Sequence, residues 1–377
     1  ISWLQTGDLT DGIINSTSKT ISERALKTHS TLKQYKAGSL VIAMYGATIG
    51  KVGLLNISTT TNQACCVLEK TDSVDMRFAF YLFMGFKSNI VAMGYGGGQP
   101  NISQDIIRNL RFPFPHKQLQ TAIANFLDEK TAKIDETIAI KEQQIALLNE
   151  RKQILIQQVV TQGLDPTVPM KDSGVEWIGK IPEHWIVKRA KYLFNEIDER
   201  SVNGDEELLS VSHITGVTPR SEKNVNMFMA EDYSGSKTCE KNDLVFNIMW
   251  AWMGALGVSD RRGIVSPSYG VFRAKAESTF NPIFLEYLLK STNYIEHYNK
   301  VSTGLHSSRL RFYGHMFFDM EMGFPSFEEQ NYIIEHVQKE SDVIDKALSL
   351  QEQQIEALKE YKTTLINSAV TGKIKVV

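Results

Sequence analysis

The chain has 377 residues, 42% of them apolar, with 41 basic and 43 acidic side chains. That supplies apolar material for two or more packed cores, while the near-zero net charge gives no general attraction to a polyanion, so any nucleic-acid surface must be local. No apolar run reaches the ~18 residues that cross a bilayer. Cys65, Cys66 and Cys239 have no metal-ligand spacing and read as buried thiols of a reducing, cytoplasmic compartment, which argues against a disulfide scaffold.

In chain order, residues 1–116 read as a first globular unit. Residues 3–9 suggest a strand entering a turn, 39–45 a buried strand ended by Gly46, and 50–55 and 64–68 further strands. Residues 76–86 read as a helix, and the glycine-rich stretch 94–101 as a flexible loop. Residues 117–163 form one long helix, 164–169 a linker, and the second unit with that linker covers 164–325. A second long helix occupies 326–377. The apolar run 244–258 carries Asn247, two tryptophans and two glycines, and predicts a buried strand and turn.

The two long helices are copies. Shifting residues 118–162 by 210 positions lays Ile134-Asp135 on Ile344-Asp345, Gln143-Gln144-Ile145 on Gln353-Gln354-Ile355 and Val160-Thr161 on Val370-Thr371. Heptad spacing gives each a stripe of packing residues: Ile134, Ile138, Ile145, Leu148 and Leu155 in the first, Ile344, Leu348, Ile355, Leu358 and Leu365 in the second. Polar interruptions fall at matched places, Thr131 with Ser341, Lys141 with Gln351 and Lys152 with Lys362, as suits an antiparallel coiled-coil pair held in one register. Each helix is roughly 65 Å long at 1.5 Å per residue. Ser326 with Glu329 predicts a capping box at the second start, and His116 is a poorer cap for the first.

The globular units repeat more loosely. Residues 243–245 match 39–41, Gly254 and Gly257 match Gly50 and Gly53, and Val271 matches Val67. Residues 174–185 have no counterpart in the first unit, so about 40 residues are expected to be missing ahead of Ile1. The fold class is therefore α+β: two similar α/β domains separated by a pair of long antiparallel helices, as an internal repeat with pseudo-two-fold character.

Residues that could carry catalysis do not assemble a motif. Gly46 to Lys51 resembles a phosphate loop but is one residue short and has Val52 where Ser or Thr is required, so a strand-turn-strand corner is expected. Asn281-Pro282-Ile283-Phe284 lacks the second proline of an amino-methyltransferase motif and suits a helix cap with proline at N1. His213, His297, His306 and His315 are scattered, and neither a metal cluster nor a nucleophile elbow is present.

Groups able to read base edges or phosphates do gather before each long helix. They are Gln99, Asn101, Ser103 and Arg108 in the first unit, and Ser302, Thr303, His306, Ser307, Ser308, Arg309 and Arg311 in the second. Lys188, Arg189, Lys191, Arg261 and Arg262 are further candidates for DNA backbone contact.

Gly174-Val175-Glu176-Trp177-Ile178-Gly179-Lys180-Ile181-Pro182-Glu183-His184-Trp185 resembles the opening of a target-recognition domain in type I restriction-modification specificity subunits. Phe114-Pro115 with Gln120 and Phe324-Pro325 with Gln330 are similar to that family's helix starts, and the resemblance covers essentially the whole chain. It implies a subunit with no catalysis, cofactor or metal of its own, whose domains each read one half of a bipartite double-stranded DNA site while the helices set the spacer. It further implies two modification subunits carrying S-adenosylmethionine, and restriction subunits, where present, using ATP and Mg. The competing expectations are a self-contained DNA methyltransferase or nuclease, and a structural coiled-coil scaffold.

Overall fold

The computed structural model describes residues 1–94, 101–223, 232–304 and 310–376. The chain divides into two compact units, Ile1–Ile145 with Ser349–Val377, and Ala146–Leu348. The division cuts each long helix, so each unit holds a globular part, the first half of the helix that follows it and the second half of the other helix.

In the first unit, Leu40–Ala43 is flanked by Val52–Leu55 and Cys65–Leu68, both antiparallel to it, and Gly12–Ile14 adds an edge strand parallel to Val52–Leu55. In the second, Leu244–Phe246 is flanked in the same way by Leu256–Val258 and Gly270–Ala274, and Phe194–Glu196 adds an edge beyond Gly270–Ala274. The three inner strands thus repeat, and the fourth is recruited on opposite sides. The inner strands are legible because they are short continuous apolar runs buried on both faces: Leu40, Val41, Ile42 and Ala43 are all at 0% exposure.

The matched glycines serve one purpose in both units. Gly50 and Gly254 have φ +76° and +81°, and a Cβ on either would lie within 3 Å of a side chain, Val91 or Ile295. Gly53 and Gly257 face atoms 2.7 Å from an added Cβ, so the sheet closes on neighbouring elements only without a side chain there. Gly46 to Thr48 is a single tight turn between strands, as its spacing predicted.

The long helices run over Lys117–Gln162 and Phe327–Val370. All ten predicted packing residues are buried or half-buried, among flanking positions that are mostly exposed. In the first unit Lys362 Nζ meets Asp135 at 2.6 Å and 2.7 Å, and Lys141 Nζ donates to Gln351 Oε1 at 3.0 Å and also to Gln354. Partner numbers fall as residue numbers rise, so the segments pair antiparallel. In the second unit Lys152 Nζ meets Asp345 at 2.7 Å and 2.8 Å. Lys152 and Lys362, and Asp135 and Asp345, are repeat mates, so one ion pair is built once in each unit. Lys152 and Lys362, which interrupt the stripe, therefore have dedicated acceptors in the flanking aspartates, and Lys141 has glutamines.

Each helix start is clasped by a buried glutamine. In the first unit the Asp75 N–H donates to Gln120 Oε1 at 3.0 Å, and Gln120 Nε2 donates to the Pro115 carbonyl at 2.8 Å. In the second, the Asn281 N–H donates to Gln330 Oε1 at 2.8 Å, and Gln330 Nε2 donates to the Thr279 and Pro325 carbonyls at 3.0 Å and 3.1 Å. Asp75 and Asn281 cap the domain helices Met76–Gly85 and Pro282–Leu289, so one amide joins two helix starts in each unit.

The predicted capping box at Ser326 is only half made. Ser326 Oγ accepts from the Glu329 N–H at 3.3 Å, but the Glu329 carboxylate turns away, taking the Trp185 indole N–H at 3.0 Å and His184 Nε2 at 2.8 Å. A charge-assisted bond to a buried indole outweighs closing the box. His116 is a weak cap, its Nδ1 3.4 Å from the Leu119 N–H.

Candidate nucleic-acid interface

In the first unit the residues flanking the expected loop are fixed: the Gly94 N–H donates to the Val91 carbonyl at 3.0 Å, Asn101 bridges Tyr45, and the Ile102 N–H donates to the Met44 carbonyl at 2.9 Å. Ser103 then caps Gln104–Asn109, its Oγ accepting from the Ile106 N–H at 3.2 Å. That hydroxyl is committed to the helix start. Asn101 and Arg108 are exposed, and the Arg108 guanidinium lies against the Cys66 sulfur.

The second unit repeats the arrangement. Thr303 and Arg311 exchange two backbone hydrogen bonds, 3.1 Å and 2.9 Å, closing the loop between them, and the Phe312 N–H donates to the Ile248 carbonyl at 3.0 Å. Ile102 and Phe312 are mates in the 210-residue repeat, so both loops rise from one scaffold position. Thr303 is exposed; Arg311 Nη1 donates to the Leu310 carbonyl at 2.8 Å. Ser302 Oγ is buried without a hydrogen-bond partner among the described residues. Gln99, His306, Ser307, Ser308 and Arg309 lie outside the described residues.

The remaining expected contacts stand elsewhere. Lys188 and Arg189 end the strand Ile186–Arg189, which pairs with Glu321–Phe324, and both are exposed. Arg189 Nε is 3.8 Å from Glu321, and Lys188 lines a cleft of about 520 Å³ with His184, Tyr192 and Phe327. Lys191 lies over the Tyr192 ring at 5.2 Å, and its carbonyl accepts from Lys275 Nζ at 2.7 Å. Arg261 is forked on Asp260 at 2.8 Å and 3.1 Å and reaches Glu207 at 3.4 Å, while Arg262 lies 3.3 Å from Glu240. The hydrogen bond from Arg261 holds the Asp260 carboxyl below its ordinary range. Both guanidinium groups are thus already matched by carboxylates.

The three thiols and His297 are structural. All three thiols are buried, and burial pushes Cys65 up to about 12 and Cys239 up to about 11, so neither is a ready nucleophile. His297 stacks on Trp177 at 4.2 Å, and burial lowers its pKa. Among the described residues no group of three or more His, Cys, Asp or Glu could hold a metal ion, and no helix is long and apolar enough to cross a membrane.

Trp177 and Trp185 of the 174–185 stretch pack inward, Trp185 at 1% exposure, so that stretch braces the second unit against the start of the long helix. The pairing role of Asp135 and Asp345 and the inward turn of Glu329 escaped the sequence reading. The aspartates carry a faint signal, since each is a carboxylate directly beside a stripe position in both copies.

A family model for the type I restriction modification DNA specificity domain matches residues 1–150. The specificity subunit of the type I restriction enzyme MjaVIII from Methanocaldococcus jannaschii is 23% identical over 393 residues, covering 99% of this chain and 86% of the relative. Among solved structures, a chain from a study of complex assembly and conformational transition of the type I R-M system is similar with TM-score 0.71 at 14% identity, over 98% of this chain and 90% of the other. The HsdS subunit from Thermoanaerobacter tengcongensis is similar with TM-score 0.55 at 14% identity, over 99% and 90%. At those identities the structural likeness speaks for the fold.

Proposed function

We propose that this chain is a specificity subunit of a type I restriction-modification system, the non-catalytic DNA-reading subunit of such a complex. The observation that carries the reading is the duplicated scaffold. In each unit a polar stretch lies in the chain between the same inner-strand end and helix start, and the two stretches differ in sequence while the three inner strands and the flanking backbone hydrogen bonds repeat. A protein reading two different half-sites with one geometry needs that combination. DNA and the other subunits of the restriction-modification system are its partners.

In this reading Gln99 and Asn101, and Thr303 and residues 306–309 with Arg311, meet base edges, with Arg108, Lys188 and Arg189 on the phosphates, while the buried Ser302 hydroxyl does not reach the DNA. Two modification subunits hold S-adenosylmethionine, and restriction subunits, where present, use ATP and Mg; the complex works in the cytoplasm. The helices set the non-specific spacer by their length, and the paired Lys152–Asp345 and Lys362–Asp135 contacts, which fix register, support this.

The test is selection of bound duplexes from a randomised pool by the complex of this chain with its modification subunit. The expected product is one bipartite motif, and deleting four residues within 143–151 shortens its spacer while keeping both half-sites. Unselective binding would overturn the reading; an unchanged spacer would overturn the role of the helices.

A further inference from the structure

Residues 16–36 belong to no contact described above, yet they are the most one-sidedly charged part of the first unit. They carry Lys19, Arg24, Lys27, Lys33 and Lys36 against the single carboxylate of Glu23, with Ser or Thr at eight further positions. In a chain of net charge −2 this is a local concentration of positive charge.

The stretch is anchored. Lys19–Thr20 pairs with Ser2–Leu4, Ser22 caps the helix Glu23–Thr28, and Tyr35 exchanges backbone hydrogen bonds of 2.8 Å and 3.0 Å with Thr59. All five cationic side chains are exposed. Lys33 pairs with Glu69, whereas Arg24, Lys27 and Lys36 form no ion pair among the described residues. Arg24 and Lys27 are three apart on one helix and so share a face. Arg108 lies within electrostatic reach of Lys33, which brings this surface to the helix that follows the reading loop.

Like charges left unmatched on a fixed surface repel one another, and a row of phosphates relieves that repulsion while accepting from the hydroxyls. The second unit has no equivalent. The stretch 204 positions on, 220–240, carries Arg220, Lys223 and Lys237 against Glu222, Glu231, Asp232 and Glu240.

We propose that residues 16–36 together with Arg108 are a phosphate-gripping face of the first unit that the matching stretch of the second unit lacks, so that the two halves of the DNA site are held by unequal numbers of phosphate contacts. This rests on the reading of the chain as a DNA-specificity subunit. The experiment compares the complex of chain and modification subunit with the same complex carrying Arg24→Gln, Lys27→Gln and Lys36→Gln, titrated with its selected duplex from 50 to 200 mM salt. Each lost phosphate contact lowers the slope of log affinity against log salt by ~0.9, so the variant slope is shallower by roughly 2.7, about a forty-fold smaller loss over that range. The ranking of DNA sequences stays as it was. The charge-retaining variant Arg24→Lys, Lys27→Arg, Lys36→Arg keeps the original slope, which separates charge from shape. A glutamine variant with the original slope overturns the inference and leaves the functional reading standing; an unsubstituted complex that binds no duplex at any salt overturns the functional reading itself.

Discussion

Replacing Gln330 by Leu tests the clasp that fixes the long helix to its domain. The side chain is fully buried and satisfies the Asn281 N–H and the Thr279 and Pro325 carbonyls. Leucine nearly fills the volume, so the cavity contribution is small and the loss is that of stranded backbone groups. Each such group costs about 1–3 kcal/mol when water cannot reach it, giving a destabilisation on the order of 3–5 kcal/mol. Gln120→Leu strands the Asp75 N–H and the Pro115 carbonyl, and costs roughly 2–4 kcal/mol. The assay is chemical denaturation of the full chain followed by circular dichroism. A loss below about 1 kcal/mol for Gln330→Leu would show that water replaces the amide, and would refute the clasp.

Alkaline pH should destabilise both units. Burial raises Cys65 to about 12 and Cys239 to about 11 from an ordinary 9.0, so above pH 9 the unfolded chain binds fewer protons than the folded one. The thiols' contribution is then level below pH 9 and falls above it by about 1.4 kcal/mol per pH unit for each thiol until the folded values are reached, as the difference between the chain and its Cys→Ala controls in denaturation at stepped pH would record. The Lys152–Asp345 pair leaves Asp345 54% exposed, so its worth is about 0.5 kcal/mol and its main service is register. Asp345→Lys costs about 1 kcal/mol and Lys152→Asp in the same chain restores it, which a double-mutant cycle measures. Arg261→Gln with Arg262→Gln lowers the salt slope of DNA binding by less than about one, because Asp260, Glu207 and Glu240 already match both charges.

The parts of the fold that were legible are those where one physical signal repeats. The heptad stripes extend over more than forty residues, and every residue named from them is covered. The inner strands announce themselves because both faces are buried, as at 40–43. Gly12–Ile14 does not, since Ile13 is exposed and the strand begins after Asp11 at φ +58°, a conformation without a clear local signature. Glu329 misled for a related reason: a local motif predicts its nearest partner, but Trp185, 144 residues away, was the better one. At the candidate interface the equivalence of Ile102 and Phe312 was legible from the repeat, while the state of each side chain was not. Ser103 is spent on a helix cap and Arg261 on carboxylates, facts set by neighbours that spacing alone does not name.

The methylome of cells expressing this chain with its modification subunit tests the central claim most directly, with the chain intact and with Thr303→Ala and Arg311→Ala together. The account predicts one bipartite methylated motif for the intact chain, and for the variant a motif altered or relaxed in one half-site while the other half-site and the spacer persist. A motif changed in both halves, or methylation indifferent to this chain, would contradict two independent readers on a common scaffold.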